Sequence, residues 1–242
     1  MEFLERSNVF GDPKSVNVFL QPVDAQDLSR MEEETESLKA LCGHEDWCIL
    51  AVPVANWNRD LTPWSAPPVF GKEGFGDGAA ASLDRILKEI IPSFEAAYPA
   101  REAADMAHDA VQVCHSLAAD GSFPRRRYFL AGYSLAGLFV LWAGYQSATF
   151  AGVAAVSPSV WYPGWSDWAA GHVIRTPRVY LSLGDREEKT RNLLMSQVGA
   201  CIRRQEAMLK QHGTDVTLEW NPGNHFVDPA MRTAKGMAWL LR

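Results

Sequence analysis

The 242-residue sequence lacks the features that mark membrane proteins and nucleic-acid-binding proteins. No apolar stretch approaches the roughly 20 residues of a transmembrane helix, and the opening residues, MEFLERSNVF, turn polar too soon for a signal peptide. Basic residues form no run longer than the three arginines at 125–127, and the formal net charge is −6. We therefore expect a cytoplasmic protein that binds neither nucleic acid nor a membrane.

Metal-binding and dinucleotide-binding patterns are also missing. The four cysteines, Cys42, Cys48, Cys114 and Cys201, show no metal-ligand spacing, and their apolar or helical surroundings favour reduced thiols over a disulfide framework. The sequence has neither the H-x-x-x-H pair of a zinc hydrolase nor the G-x-G-x-x-G turn of a dinucleotide-binding fold. We expect no metal site.

What the sequence does contain is an alternation of strand and helix patterns with no linker or repeat between them. Apolar runs predict strands at 16–23, 47–54, 127–132, 150–157, 178–184 and 215–220. Helical spacing of apolar residues predicts helices at 26–42, 83–94 with a kink at Pro92, 102–119, 135–147, 190–212 and 228–242. This order predicts one α/β domain over 1–242, with a mostly parallel sheet covered by helices on both faces.

The segment LAGYSLAGLFVLWA, residues 130–143, places a serine at an abrupt strand-to-helix corner. The strand pattern stops at Gly132, the helix pattern starts at Leu135, and Ser134 lies between them. Small residues are needed two positions before and after such a serine, because strand and helix pass close together there, and Gly132 and Ala136 meet that need. Ser134 is therefore either a nucleophile at the carboxyl end of a strand or a simple helix N-cap.

A nucleophilic serine needs a base, and the base needs a carboxylate to orient it. In α/β folds of this kind the chain order is serine, acid, histidine. His225 fits the last place, because it follows the strand 215–220 in the loop NPGNHF. The other histidines fall within predicted helices or at a helix end, apart from His172, which lies in an aromatic loop and is the alternative.

The acid is expected in the segment LSLGDREEK, where the strand 178–184 ends. In many α/β-hydrolases the acid stands three residues after the glycine that ends its strand, and that count from Gly184 reaches Glu187. Asp185 is the alternative acid. A third interpretation treats the whole acidic cluster, including Glu188, as a solvated loop that pairs with nearby basic residues.

Three segments carry a resemblance to a known family: FLAGYSLAGLFVLWA, GVAAVSPSVWYPGW and NPGNHF. They resemble the esterase family of α/β-hydrolases, in the branch that contains esterase D-like and enterochelin esterase-like proteins, and NWNRDLTPWSAP resembles a loop of the same group. The resemblance runs from about residue 16 to the end. It implies an α/β-hydrolase fold, a serine nucleophile at Ser134, a histidine base at His225, ester or thioester substrates and no cofactor.

The oxyanion hole of such a site needs two N–H donors. The first is the N–H of Leu135, and the second comes from the loop after the strand 16–22. Because Pro22 has no N–H, Val23 is the first choice for the second donor and Asp24 is the second choice.

Tryptophans in two loops predict the substrate pocket. Trp57 and Trp64 lie in the first loop, and Trp161 and Trp165 lie in the second. These side chains either form the walls of a pocket for an apolar or aromatic group or only pack the loops together.

Strand counting predicts a sheet that is shortened at its N-terminal side. If the strand before Ser134 is the fifth of the usual eight, 16–22 is the third and 47–54 is the fourth. About fifteen residues precede the third strand, too few for two leading strands and their turns. The apolar strand 47–54 would then be a sheet edge that needs a cover, either the N-terminal residues or a second subunit in a homodimer.

The function that these features favour is a serine carboxylesterase that hydrolyses small or aromatic esters, or thioesters, through an acyl-enzyme on Ser134. Two alternatives stay open. An acyltransferase would pass the acyl group to an alcohol or thiol, and a degenerate hydrolase would keep the pocket as a binding module. The expected partner is a small-molecule ester.

Overall fold

The computed structural model describes residues 8–69, 71–100 and 126–242, which contain one seven-stranded sheet. Its strands are β1 (Val9–Gly11), β2 (Asn17–Val23), β3 (Cys48–Pro53), β4 (Arg127–Tyr133), β5 (Phe150–Val156), β6 (Arg178–Gly184) and β7 (Asp215–Asn221). Their order across the sheet is β1-β3-β2-β4-β5-β6-β7. β1 runs antiparallel to β3 and the other neighbouring pairs are parallel, so the prediction of a mostly parallel sheet is confirmed.

Helices connect these strands. They are α1 (Ala25–Leu28), α2 (Met31–Cys42), α3 (Trp57–Asp60), α4 (Ala79–Arg85), α5 (Ile91–Ala97), α6 (Leu135–Gln146), α7 (Trp165–Ala170), α8 (Val198–Gln211) and α9 (Pro229–Leu240). The predicted helix 102–119 lies outside the described residues, and the single-domain boundary 1–242 stays a prediction. Within the described residues, no helix combines the length and the apolar character that a membrane span requires.

Alternate residues of the central strands face two separate apolar cores. On β2, Val18 and Leu20 face the core that contains α4, α6 and α8, whereas Phe19 and Val23 face the core that contains α2 and α9. The strands are continuously apolar because helices cover both of their faces. The α6 helix is buried at every residue from 135 to 145, which explains why its sequence shows no polar face.

The predicted helix 190–212 begins later than its apolar pattern suggested. The side-chain oxygen of Asn192 accepts the N–H groups of Leu194 and Met195 at 3.0 and 3.1 Å, which holds the preceding chain as a turn. A short 3₁₀ turn, Met195–Gln197, then leads into α8. The chain before this turn is therefore a loop that is available to a binding site.

Two other predicted helices are less regular in the structure than their apolar patterns indicate. The predicted helix 26–42 divides into α1 and α2, and the side chain of Asp24 caps the separate first turn by accepting the Asp27 N–H at 2.8 Å. The predicted helix 83–94 contains a π-helical turn, Ile86–Ile90, just before Pro92. A proline ring clashes with the carbonyl four residues earlier in a regular α-helix, and the wider turn lies at that point.

The strand 47–54 is not the edge of the sheet, which corrects the expectation from strand counting. The short strand β1 pairs with it, with Val9 opposite Leu50 and Gly11 opposite Cys48. The N-terminal residues therefore supply the cover, as one of the two expected arrangements required. A homodimer through this strand stays a prediction.

Candidate active site

The corner at Ser134 has the strained backbone that the sequence predicts. Ser134 has φ 58° and ψ −118°, and few non-glycine residues adopt a positive φ. Its carbonyl accepts the N–H of Leu138 at 3.1 Å, which begins α6. A Cβ at Gly132 would come within 2.5 Å of the Ala136 carbonyl oxygen, so the close passage of β4 and α6 requires glycine there. The Ser134 side chain makes no capping hydrogen bond to the helix, and the simple N-cap interpretation is wrong.

The structure brings Ser134, Glu187 and His225 together in one hydrogen-bonded chain. The parallel strands β4, β6 and β7 end at the same edge of the sheet, and each is followed by one of the three residues. Nε2 of His225 lies 2.9 Å from Oγ of Ser134, and its Nδ1 lies 2.7 Å from Oε2 of Glu187. Because an ionised carboxylate only accepts hydrogen bonds, Nδ1 carries the ring proton and Nε2 is left to accept the serine hydroxyl proton.

Glu187 is a buried carboxylate with a full set of donors. Its side chain is only 4% exposed. Oε1 accepts the Gly184 N–H at 2.7 Å and the Ser157 hydroxyl at 2.8 Å, while Oε2 is left for His225. Burial alone would raise the pKa of this carboxyl, but His225, the Gly184 N–H and the Ser157 hydroxyl together hold the pKa below its ordinary value. Glu187 therefore stays ionised beside the imidazole.

The two neighbouring acids have other roles. Asp185 accepts the Gly223 N–H at 2.8 Å, so it fixes the turn before His225 rather than the imidazole itself. Glu188 lies 3.7 Å from Arg203 in a partly exposed ion pair. The register count to Glu187 thus agrees with the geometry, and the solvated-loop interpretation fits Glu188 but not Glu187.

His172, the alternative histidine, lies away from this chain of hydrogen bonds. Its ring stacks on Trp168 with centroids 4.2 Å apart, and Nδ1 lies 2.6 Å from the carbonyl of the same residue. The His172 ring is exposed and packs against Trp168 of α7. Within the described residues it makes no hydrogen bond or ring contact with Ser134, Glu187 or His225.

The second oxyanion donor requires a correction. Val23 accepts the N–H of Val54 at 3.0 Å, so its backbone polar groups face β3. In a strand the N–H and C=O of one residue point to the same side, and the sides alternate along the chain. The Val23 N–H therefore points away from β4, which ends at Ser134. Because the Asp24 backbone is still extended, the same alternation predicts that its N–H faces the β4 side, and Asp24 replaces Val23 as the predicted second donor.

A cavity of about 510 Å³ opens beside Ser134. Most of its lining surface is apolar, although seven of the fourteen lining residues are polar. The lining residues are Trp57, Asn58, Phe75, Ser134, Leu135, Ser157, Ser159, Trp161, Glu187, Asn192, Met195, Val198, His225 and Phe226. The two loops that form its walls are joined where the Asn192 side-chain amide donates to the Val69 carbonyl at 3.0 Å. No lysine or arginine occurs among the described residues of this lining.

Only half of the predicted tryptophan wall faces the cavity. Trp57 and Trp161 line it, as expected. Trp64 and Trp165 instead stack on each other with centroids 6.5 Å apart, and their indole N–H groups donate to the Pro163 carbonyl and to Gln205. A buried indole N–H needs an acceptor, and these acceptors lie in the protein rather than in the pocket.

Three residues around the hydrogen-bonded chain were not expected from the sequence. The Ser157 hydroxyl donates to Glu187, the Tyr133 hydroxyl donates to the carbonyl oxygen of His225 at 2.7 Å, and buried Arg232 contacts the same carboxylate. Tyr133 directly precedes Ser134, and Ser157 has a positive φ of 43° where β5 ends. That strained strand end resembles the Ser134 corner, but the local sequence, VSPS, gives no pattern for it.

No protein-family model matches the sequence, and no curated protein matches it. Several solved structures, however, are similar to this chain. The IroE-like serine hydrolase from Shewanella oneidensis has a TM-score of 0.68 at 16% identity, over 94% of this chain and 71% of that one. The siderophore hydrolase EstB from Aspergillus nidulans has a TM-score of 0.65 at 18% identity, over 95% and 84%.

A third similar structure is the enterobactin esterase FES from Shigella flexneri, with a TM-score of 0.61 at 14% identity. The match covers 96% of this chain but only 54% of that one, so this chain spans about half of its length. Together these likenesses confirm the α/β-hydrolase fold.

Proposed function

We propose that the protein is a serine carboxylesterase that forms an acyl-enzyme on Ser134. The observation that carries the proposal is the hydrogen-bonded chain from Ser134 through His225 to Glu187, beside an apolar cavity. These groups supply a nucleophile, a general base and a carboxylate that orients the base. Structural neighbours that are named as serine hydrolases and esterases agree with this chemistry.

The reaction begins when Oγ of Ser134 attacks the ester carbonyl carbon and Nε2 of His225 takes the hydroxyl proton. Glu187 stabilises the imidazolium, and the N–H groups of Leu135 and Asp24 stabilise the oxyanion. The carbon–oxygen bond to the alcohol then breaks as the imidazolium gives its proton to the leaving oxygen. Water repeats these steps on the acyl-enzyme, which releases the acid and restores the serine.

The cavity favours an uncharged ester with an apolar or aromatic group. Phe75 and Trp161 are nearly buried, with their ring centroids 6.4 Å apart, and together with Met195 they offer apolar contacts. An anionic substrate, such as a metal-loaded siderophore, would meet Glu187 without a lysine or arginine in the described lining to bind it. The siderophore activity named for the neighbours is therefore not our proposal for this chain.

The cysteines support a proposal that the protein acts in the cytoplasm. Cys42, Cys48 and Cys201 are free thiols in the described residues. Burial raises the pKa of the Cys42 thiol to about 11 and that of Cys48 to about 12, so both stay protonated and unreactive at neutral pH. Reduced, inert thiols are typical of a reducing compartment.

The direct test is hydrolysis of p-nitrophenyl esters of graded chain length by the purified protein and two serine variants. We expect Ser134→Ala to lower kcat by about 10⁴-fold or more, because the nucleophile is lost. Ser159→Ala is the matched control, since Ser159 is buried and also lines the cavity, and it should stay within about threefold of the wild type. Equal activity of Ser134→Ala would contradict the proposal, and product ratios with added alcohol distinguish hydrolysis from acyl transfer.

The substrate class has its own test, a lysine placed in the apolar wall. We expect Met195→Lys to lower kcat/KM for the hexanoate ester about tenfold and to raise it for a monoester of succinate. Leu193→Lys is the control, because Leu193 is only two residues away in sequence but is 84% exposed. A wild-type preference for the succinate monoester would contradict an uncharged substrate while leaving the esterase proposal intact.

A further inference from the structure

A buried arginine contacts Glu187, although the proposed reaction of Ser134, His225 and Glu187 has no direct role for it. Arg232, on α9, has a side chain that is 2% exposed. Its Nη1 donates to Oε1 of Glu187 at 3.0 Å. Its Nη2 donates to the carbonyl oxygens of Pro222 and Asn224, at 2.9 and 3.1 Å. One guanidinium therefore bonds both the acid and the loop that presents His225.

Stability alone is a weak explanation for this arrangement. Removing a guanidinium and a carboxylate from water costs several kcal/mol per ion, and a buried pair recovers this only with good geometry and further hydrogen bonds. An apolar side chain at this point of the core would often stabilise a protein as well as the ion pair does. The ion pair is better explained by its effect on the orientation of the Glu187 carboxylate.

The hydrogen bonds of Glu187 divide unequally between its two oxygens. Oε1 accepts from the Gly184 N–H, the Ser157 hydroxyl and Arg232, whereas Oε2 is left for His225 alone. The carboxylate cannot rotate without losing donors from Oε1, so Oε2 stays directed at the imidazole. Gly184 and Ser157 hold the carboxylate to the ends of β6 and β5, but Arg232 also holds the loop of His225.

A third contact links the same cation to the strand that carries the nucleophile. The Tyr133 hydroxyl donates to the His225 carbonyl at 2.7 Å and accepts from Nη1 of Arg232 at 3.3 Å. Tyr133 is the last residue of β4 and directly precedes Ser134. Its hydrogen bonds to Glu187, to the loop of His225 and to Tyr133 therefore connect the arginine to the chain segments that carry Glu187, His225 and Ser134.

We propose that Arg232 is a positioning residue: it fixes the Glu187 carboxylate and the His225 loop relative to each other, and so sets the hydrogen bond between Oε2 and Nδ1. The inference rests on the proposed esterase function. Arg232 contacts neither the substrate cavity nor the reacting atoms, so it acts through Glu187. A guanidinium suits this task because its planar donors reach several acceptors at once.

The first test compares substitutions on one helix. We expect Arg232→Met to lower kcat about 10²-fold and Arg232→Lys about tenfold, with KM within about twofold, because a displaced supporting group weakens chemistry rather than binding. Lys235→Met is the matched control: Lys235 is also on α9, and its hydrogen bonds go to Glu219 at 2.6 Å and Asn221 at 3.0 Å rather than to Glu187 or the residues 222–225. It should stay within about twofold of the wild type. Equal kcat losses in the Arg232 and Lys235 variants would overturn the inference.

A double-mutant cycle separates positioning from a general effect on folding. If Arg232 acts through Glu187, the loss caused by Arg232→Met should shrink to about threefold or less in the Glu187→Gln background. An undiminished loss of about 10²-fold in that background would overturn the inference. All rates are divided by the folded fraction from circular dichroism, so an unfolded variant cannot mimic the effect.

Proton NMR, which needs no substrate turnover, tests the positioning role of Arg232 separately from the esterase function. In the wild type, the Nδ1–H proton that His225 donates to Glu187 should give a slowly exchanging downfield resonance in proton NMR. We expect this resonance to be lost or strongly shifted in Arg232→Met and retained in Lys235→Met. Its unchanged position in Arg232→Met overturns the positioning role, whereas a wild type with the resonance but no ester hydrolysis overturns the esterase function on which that role rests.

Discussion

Two glutamates with largely buried side chains lie in different parts of the molecule and have opposite ionisation states. Glu34, on α2, is 5% exposed and has a single partner, the Gln21 amide, which donates to it at 3.3 Å. Glu187, at the carboxyl end of the sheet, has a side chain that is 4% exposed and accepts from four groups. Burial raises the pKa of Glu34 to about 8, whereas the pKa of Glu187 is held below its ordinary value.

The difference shows that hydrogen-bond donors can outweigh burial in deciding whether a buried acid is charged. Burial is the largest influence on both groups and raises both pKa values. At Glu34 the weak Gln21 contact cannot offset the effect of burial. Oε1 of Glu34 and Oε1 of Gln21 have no hydrogen-bond partner among the described residues. Glu34 is therefore a neutral acid at neutral pH, and Glu187 is a carboxylate able to stabilise an imidazolium.

The largest expected effect comes from removing the charge at Glu187. Glu187→Gln should lower kcat about 10³–10⁴-fold, because an amide cannot stabilise the imidazolium as the carboxylate does. Asp185→Asn is the matched control in the same loop, since Asp185 accepts only the Gly223 N–H in the turn, and it should cost less than about tenfold. Steady-state kinetics checks both. The reverse ranking would assign the acid to Asp185, and two harmless substitutions would leave a serine–histidine pair.

The second expected effect is on stability: replacing Glu34 should change how the free energy of unfolding depends on pH. Its folded-state pKa is raised from the ordinary 4.5 to about 8, so its contribution to stability is full below 4.5 and is lost as the pH rises through about 8. Glu34→Gln should therefore gain free energy of unfolding relative to the wild type between pH 5 and pH 8.5, by on the order of 2–4 kcal/mol.

Urea unfolding at the two pH values checks this prediction for Glu34. Glu33→Gln is the control, because Glu33 lies on the same helix but is exposed. Its difference from the wild type should be independent of pH. A pH-independent difference for Glu34→Gln as well would mean that Glu34 is ionised in the folded protein.

The smallest expected effect comes from removing one hydrogen-bond donor from Glu187, which makes its surroundings more like those of Glu34. Ser157→Ala removes one donor to Oε1, and we expect kcat to fall about tenfold, the value of one hydrogen bond to a charged group. Ser182→Ala is the control, because the buried Ser182 hydroxyl on β6 has no hydrogen-bond partner among the described residues. Equal rates for Ser157→Ala and the wild type would show that the remaining donors suffice.

The sequence predicted those features that depend on local pattern. The corner at Ser134 depends on the small residue Gly132 and on a change from strand to helix, and both are visible within a few residues. Glu187 and His225 follow from chain order and from a count along one loop. The buried strands were predicted because apolar runs are continuous where both faces of a sheet are covered.

Features that depend on distant partners could not be predicted. Arg232 lies in a helix that also contains Lys235, and nothing local indicates that it contacts Glu187, which is 45 residues away. The direction of the Val23 N–H depends on its register with β3. The four tryptophans lie in similar loop sequences. Trp64 and Trp165 differ from the two that line the cavity because their indole N–H groups bond to Pro163 and Gln205, which the local sequence does not reveal.

The most direct test of the central claim is intact-protein and peptide mass spectrometry after reaction with an aryl phosphonate. We predict one phosphonyl group per chain, on the peptide that contains Ser134. Labelling should be absent in Ser134→Ala and strongly slowed in Glu187→Gln. A wild-type protein that hydrolyses aryl esters while Ser134 stays unlabelled would contradict the account.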